Sequence, residues 1–216
     1  MYLLELEKKS NFFTNEAYKM LRTNIMYSSF DKKIKSIILT SGESGDGKST
    51  ISANLALSFS KSSINTIVVD CDLRNPSQHK LFKISNETGI SEILIGKCNV
   101  DEAVVRYNDY LHVLPTGKVP PDPCEMLSSR AMTRLLDVLN SMFEIVILDT
   151  PPITLVSDAQ ILSKKVDGTI IVAREAKSKL DDIMEVKQLL NNVGANILGV
   201  VLNYKKINTK KYYSYR

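Results

Sequence analysis

Tryptophan is absent from the 216 residues, histidine occurs twice, and cysteine occurs three times, at Cys71, Cys98 and Cys124. The odd cysteine count and the lack of any CxxC pair exclude a disulfide framework and a zinc site, and they fit a reducing compartment. His79 and His112 lie far apart without an evident carboxylate or cysteine partner, so they read as surface or strand residues, not metal ligands. No apolar run approaches the roughly 18 residues of a spanning helix. The N-terminal MYLLELEKKSNFF lacks a basic start followed by an unbroken apolar run, so no secretory signal is expected and the expected location is the cytoplasm. Excess charge is also scarce. The net charge is +4, and residues 205–216 alone hold Lys205, Lys206, Lys210, Lys211 and Arg216 with no acid, which leaves the body near neutrality. A near-neutral body argues against a nucleic-acid groove, and no nucleic-acid partner is expected.

What is present is an ordinary globular composition, 44% hydrophobic and 24% charged, in a length suited to one domain. Short Val- and Ile-rich runs recur at 36–40, 66–70, 110–114, 144–149, 169–173 and 197–203. Most are continuous rather than alternating, the pattern of strands covered on both faces. Between them, Leu135, Leu136, Val138, Leu139 and Met142, and then Ile183, Val186, Leu189 and Leu190, fall at helical spacing. Alternating strands and helices predict an α/β fold with a mainly parallel sheet. Ahead of the first strand, Ala17, Met20, Leu21 and Ile25 predict an amphipathic helix over residues 15–28. The Pro-rich stretch 115–123 reads as an ordered loop.

Gly42-Glu-Ser-Gly-Asp-Gly-Lys-Ser49 matches G-x-x-x-x-G-K-[ST] between a strand and a helical run, the context that this phosphate-binding motif requires. Glycines let successive N–H groups turn toward an anion, the helix N-terminus adds positive potential, Lys48 reaches the β- and γ-phosphates, and the Ser49 hydroxyl suits Mg²⁺. Two further strand ends are acidic: Asp70-Cys-Asp72-Leu-Arg74 closes the second run, and Asp149 closes the fourth. In a parallel open sheet the carboxyl ends share one edge, so three carboxylates are expected near the phosphate loop and one Mg²⁺. Each Asp alone could equally be a helix cap or turn residue. Cys71, between the acids, should face the core by alternation. Arg74 is equally suited to phosphate or to an acid, and Arg174 is as open.

With these residues in view, the sequence resembles the bacterial tyrosine kinases of capsular and exopolysaccharide systems, a branch of the deviant P-loop ATPases. The likeness covers nearly the whole chain: SGESGDGKST, VVDCDLRNP (the family's Walker A′ motif), VILDTPP (its Walker B), VLPTGKVPPDPCEML, GVVLN and the terminal KKYYSYR. The resemblance implies a three-layer P-loop NTPase fold with a body at 1–204, including an N-terminal oligomerisation helix at about 14–28, and a flexible tyrosine tail at 205–216. It implies ATP and Mg²⁺ as cofactors, held by Gly42, Ser44, Gly45, Asp46, Gly47, Lys48, Ser49 and Thr50, with Asn203 at the adenine. Lys48, Asp70, Asp72 and Asp149 are the implied catalytic residues, Asp70 the favoured base, and Ser49, Asp72 and Asp149 the metal contacts.

Tyr212, Tyr213 and Tyr215 take three of the last five positions of a chain with nine tyrosines, a concentration that points to phosphoacceptors. The polar segment before them predicts a mobile tail able to enter another site. From Asn203, extended chain reaches at most about 40 Å, enough for either the chain's own site or a neighbour's. The resemblance implies transfer between subunits of a homo-oligomeric ring held by an E-x-x-R-x-x-R helix, here Glu16, Lys19 and Arg22, with Lys19 in place of the first arginine. It further implies a transmembrane co-polymerase-type adaptor that recruits and activates the kinase at the inner face of the plasma membrane, and a cognate protein-tyrosine phosphatase. Two readings compete: an ATPase switch of the partitioning or septum-positioning type, and a non-catalytic scaffold whose tail is a tether. The switch proteins carry a lysine where this chain has Glu43, which argues against the first.

Overall fold

Five of the six apolar runs become strands buried on both faces, which only a sheet sandwiched between helices satisfies, while the last, at 197–203, is a half-exposed edge strand. The computed structural model of the protein describes residue 4 and residues 12–28 and 33–205. In chain order the elements are α1 (Phe12–Met26), β1 (Ser36–Ser41), α2 (Lys48–Ser60), β2 (Thr66–Asp70), α3 (Gln78–Phe82), α4 (Ile90–Leu94), α5 (Val100–Ala103), β3 (Val105–Asn108), β4 (Leu111–Leu114), α6 (Pro123–Ser128), α7 (Arg130–Met142), β5 (Ile145–Asp149), α8 (Asp158–Ser163), β6 (Gly168–Arg174), α9 (Leu180–Asn192) and β7 (Ile197–Asn203). The sheet order is β3-β4-β2-β5-β1-β6-β7. Every pairing is parallel except that of β3 with β4. The three-layer α/β architecture expected from the sequence is therefore present, with one added antiparallel edge strand.

Alternate residues of the central strands feed two cores. Ile37 and Leu39 of β1, Val68 of β2 and Ile147 of β5 pack toward Ile25 of α1, Phe59 of α2 and Phe82 of α3. Ile38, Val69 and Leu148 face the other way, toward Leu135 and Leu139 of α7, Leu162 of α8 and Leu190 of α9. Helix α2 is buried along almost its whole length because it lies between the sheet and α1. Helix α7 starts where the Ser129 hydroxyl accepts the Met132 N–H at 3.2 Å, and its buried residues, Met132, Leu135, Leu136 and Leu139, form one stripe. The N-terminal helix begins three residues earlier than the spacing suggests and ends at Met26. It is fastened to α2 through Arg22, whose Nη1 donates to the Ser58 carbonyl at 2.5 Å, while Lys19 and Glu16 pair with each other at 2.8 Å.

Because β1, β2, β5, β6 and β7 run the same way, the phosphate loop, the two acidic strand ends and Asn203 all emerge at one sheet edge. Tyr212, Tyr213 and Tyr215 lie outside the described residues.

Candidate active site

The loop from Gly42 to Gly47 joins β1 to α2. Gly45 and Gly47 sit at φ +84° and +93°, a region open to glycine and strained for other residues. At Gly47 a Cβ would in addition overlap the side-chain amide of Asn203, which would have to move. The Asn203 Nδ2 donates to the Asp46 carbonyl at 2.9 Å, so the end of β7 is tied directly to the loop. Lys48, Ser49 and Thr50 form the first turn of α2, with the Lys48 side chain buried against the acids.

The acids converge as the parallel topology requires. Asp70 and Asp149 are register partners at the ends of β2 and β5, and both are fully buried. Asp70 Oδ2 accepts the backbone N–H groups of Ser77 and Gln78, each at 2.8 Å, and Thr116 in the Pro-rich loop donates to the Asp70 carbonyl at 3.0 Å. Asp149 accepts from Gln78 Nε2 at 2.7 Å and, more distantly, from Ser52 Oγ at 3.4 Å. Asp72 Oδ1 accepts the Asn75 N–H at 3.0 Å.

Burial sets the electrostatics. Desolvation first, then the charge of Asp149, holds the Asp70 carboxyl well above the ordinary carboxylate range, and the Gln78 and Ser77 N–H groups pull it only part of the way back. Asp149 is also raised by burial, opposed by hydrogen bonds from Ser49 and Gln78 and by the Lys48 charge. Asp72 is raised by burial and lowered in turn by the Asn75 N–H and by Lys48. Cys71 faces the core as alternation predicts, and its thiol is pushed up by burial and by the neighbouring acids.

Among the described residues no three His, Cys, Asp or Glu side chains are gathered so as to hold a metal by themselves. Asp70 Oδ2 and both Asp149 oxygens accept hydrogen bonds from protein donors. Mg²⁺ in a phosphate loop needs only one or two carboxylates beside a hydroxyl, phosphate oxygens and water. The donor set of Ser49, Asp72 and Asp149 suits that, and Asp70 Oδ1, buried without a hydrogen-bond partner among the described residues, leaves one oxygen free.

This arrangement can be placed among known proteins. The ParA family, described as NUBPL iron-transfer P-loop NTPase, matches residues 33–214. Tyrosine-protein kinase YwqD of Bacillus subtilis is 37% identical over 202 residues, 93% of this chain and 85% of that one. The putative tyrosine-protein kinase CapB of Staphylococcus aureus is 33% identical over 204 residues, covering 93% and 90%. The crystal structure of the chimerical protein CapA2B2 superposes with a TM-score of 0.89 at 35% identity over 94% of this chain and 90% of that one. The chain belongs to the bacterial tyrosine-protein kinases. It shares their P-loop NTPase frame.

Within the kinase several side chains surround this site that sequence reasoning left unassigned. Gln78 bridges Asp149 and the Ser49 carbonyl, the latter at 3.1 Å, yet nothing in its spacing eight residues past Asp70 announces it. Arg74 resolves toward an acid: its Nε and Nη2 donate to Asp158 at 3.1 and 3.3 Å, and Asp158 is wholly buried. Thr154 donates its hydroxyl to the Gly42 carbonyl. Glu43 is neutralised by Lys177 at 2.8 Å. Arg174 lies beside the loop, with its guanidinium 4.4 Å over the ring of Tyr204. His112, on β4, packs its ring 5.1 Å from that of Phe143, and His79 lies half-buried in α3.

Proposed function

We propose that the protein is an ATP-dependent protein-tyrosine autokinase in which the body, residues 1–204, phosphorylates the terminal cluster Tyr212, Tyr213 and Tyr215, between subunits, to regulate capsular or exopolysaccharide synthesis and export. The observation that carries this reading is the pairing of the phosphate loop with Asp70, whose carboxyl is buried, raised, and left with one unpartnered oxygen. ATP supplies the phosphoryl group and Mg²⁺ neutralises charge on its oxygens, the usual division of labour in a transfer with a loose transition state. Lys48 holds the β- and γ-phosphates, and the loop N–H groups from Gly42 to Thr50 cradle them. Ser49, Asp72 and Asp149 would hold the Mg²⁺ ion. Asp70 accepts the proton of the attacking tyrosine hydroxyl, for which a raised carboxylate pKa is an advantage at neutral pH. Asn203, on the same edge, sits at the base.

Glu16, Lys19 and Arg22 on α1 are assigned to contacts around a homo-oligomeric ring, where the exposed Phe12 and Met20 of the same helix add apolar area. A transmembrane co-polymerase-type adaptor would hold the kinase at the cytoplasmic face of the membrane, and a cognate phosphatase would reverse the modification. Among the described residues no helix is long and apolar enough to cross a membrane. Against the ATPase-switch reading stands Glu43, which pairs with Lys177 of its own chain at the position where the switch proteins carry a lysine.

Intact mass before and after Mg-ATP, with and without the adaptor's cytosolic peptide, tests the proposal. Steps of about 80 Da that map to Tyr212, Tyr213 and Tyr215 and vanish in Lys48→Met are expected. Release of ADP without any mass change, even with a productive adaptor, would refute it.

A further inference from the structure

The flank of the phosphate loop opposite the acids is formed by the turn after β6 and by the end of β7, which lie in register at Arg174 and Asn203. Three donors from this flank reach three successive loop carbonyls. Lys177 Nζ donates to Ser44 at 3.2 Å, Arg174 Nη1 to Gly45 at 3.5 Å, and Asn203 Nδ2 to Asp46 at 2.9 Å. Lys177 also pairs with Glu43 at 2.8 Å and stands 3.9 Å from the buried Asp46 carboxylate. In a trans peptide the N–H of the following residue points opposite to the carbonyl. Holding the carbonyls of Ser44, Gly45 and Asp46 on this flank therefore turns the N–H groups of Gly45, Asp46 and Gly47 away from it, toward the inside of the loop. A segment with two glycines at positive φ has little preference of its own, so the orientation has to come from outside contacts.

We propose that Lys177 and Arg174 are positioning residues of the nucleotide site, holding the phosphate loop in its binding conformation from the outer flank, with Tyr204 keeping Arg174 in place. The root of the C-terminal segment thereby becomes part of the phosphate-binding apparatus. Lys177 contributes most, because it makes the shorter contact and also pairs with the Glu43 carboxylate of the loop itself. Arg174, at the long limit of a hydrogen bond, depends on the Tyr204 ring to stay over Gly45. This inference rests on the nucleotide site alone, not on tyrosine as the acceptor.

Calorimetric titration of Mg-ADP into the full chain is the test. Lys177→Met should weaken binding about fivefold to tenfold, the loss of one charge-assisted contact, and Lys177→Arg should recover most of it. Arg174→Met should weaken binding about twofold to fourfold. Tyr204→Leu should match Arg174→Met, Tyr204→Phe should lose less, and the double variant Arg174→Met/Tyr204→Leu should be no worse than Arg174→Met alone. Lys187→Met, on the outer face of α9, is the control. The KM for ATP should rise with kcat held within about twofold, and the nucleotide-free melting temperature should move by no more than about 2 °C. Unchanged ADP affinity in Lys177→Met, or an affinity loss that tracks lost stability, overturns the proposal. Additive losses in the double variant remove Tyr204 from it. A wild-type protein that binds ADP with these dependences but never labels tyrosine would sink the kinase reading and leave the positioning roles standing.

Discussion

Replacing Gln78 by leucine, a side chain of similar size, isolates the support beneath Asp149. The substitution removes a charge-assisted hydrogen bond of 2.7 Å to Asp149 and a neutral one of 3.1 Å to the Ser49 carbonyl, while the Gln78 backbone N–H still holds Asp70. The first is worth about 1.5–3 kcal/mol and the second about 0.5–1.5 kcal/mol. Against this, Gln78 Oε1 is a buried acceptor without a partner among the described residues, and its removal returns about 1–2 kcal/mol. The net loss is about 2 kcal/mol, or about 4–8 °C in melting temperature for a chain of this length. The pH dependence sharpens the test. Asp149 has a folded pKa above its ordinary value of 3.8, so its ionised form disfavours folding, and that penalty is absent below 3.8 and complete above the folded pKa. The Gln78 hydrogen bond lowers that folded pKa, so losing it raises the pKa further and enlarges the penalty at neutral pH only. Denaturant titrations from about pH 7.5 to about pH 4.5 should show the deficit of Gln78→Leu shrinking as the solution becomes more acid. A deficit that grows in acid, or a variant as stable as wild type at pH 7.5, would refute the reasoning.

Two further substitutions probe the same edge. At the Arg74–Asp158 pair, Arg74→Met should destabilise more than Asp158→Asn, by about 1–2 kcal/mol in chemical denaturation, because it strands a fully buried carboxylate whereas the partly exposed guanidinium can turn to water; equal effects would contradict this. Gly47→Ala places a Cβ against the Asn203 amide at a left-handed φ, so Mg-ADP affinity should fall at least about tenfold by titration, and retained affinity would show that the loop tolerates the shift.

Much of this architecture was legible because its inner strands are buried on both faces and so print as continuous apolar runs. Strand β3 escaped for the opposite reason: Val105-Arg-Tyr-Asn108 is short, half-exposed and antiparallel, and it pairs only at the sheet edge. The short helices α3 to α6 are a turn or two long, below the length at which periodicity speaks. Lys48 stands out through the phosphate-loop motif, and Asp70, Asp72 and Asp149 because strand ends in a parallel sheet share an edge, rules that need no coordinates. Gln78, Asp158 and Lys177 do not, because each acts through a contact across the fold, from Gln78 to Asp149, from Asp158 to Arg74, and from Lys177 to Glu43. Arg74 could not be settled from sequence for the same reason, its partner lying after a different strand.

The position of β1 has a bearing on how the protein is made. The phosphate loop hangs from a strand near the start of the chain, but β1 lies between β5 and β6, whose residues, 145–149 and 168–174, are synthesised far later. The motif that looks earliest is thus completed late: until β5 and then β6 have left the ribosome, β1 lacks both of its neighbours and α2 has only β2 and β4 to cover. Such distant pairing makes folding slow, and a chain interrupted before β6 would carry an intact phosphate-binding sequence with no nucleotide site.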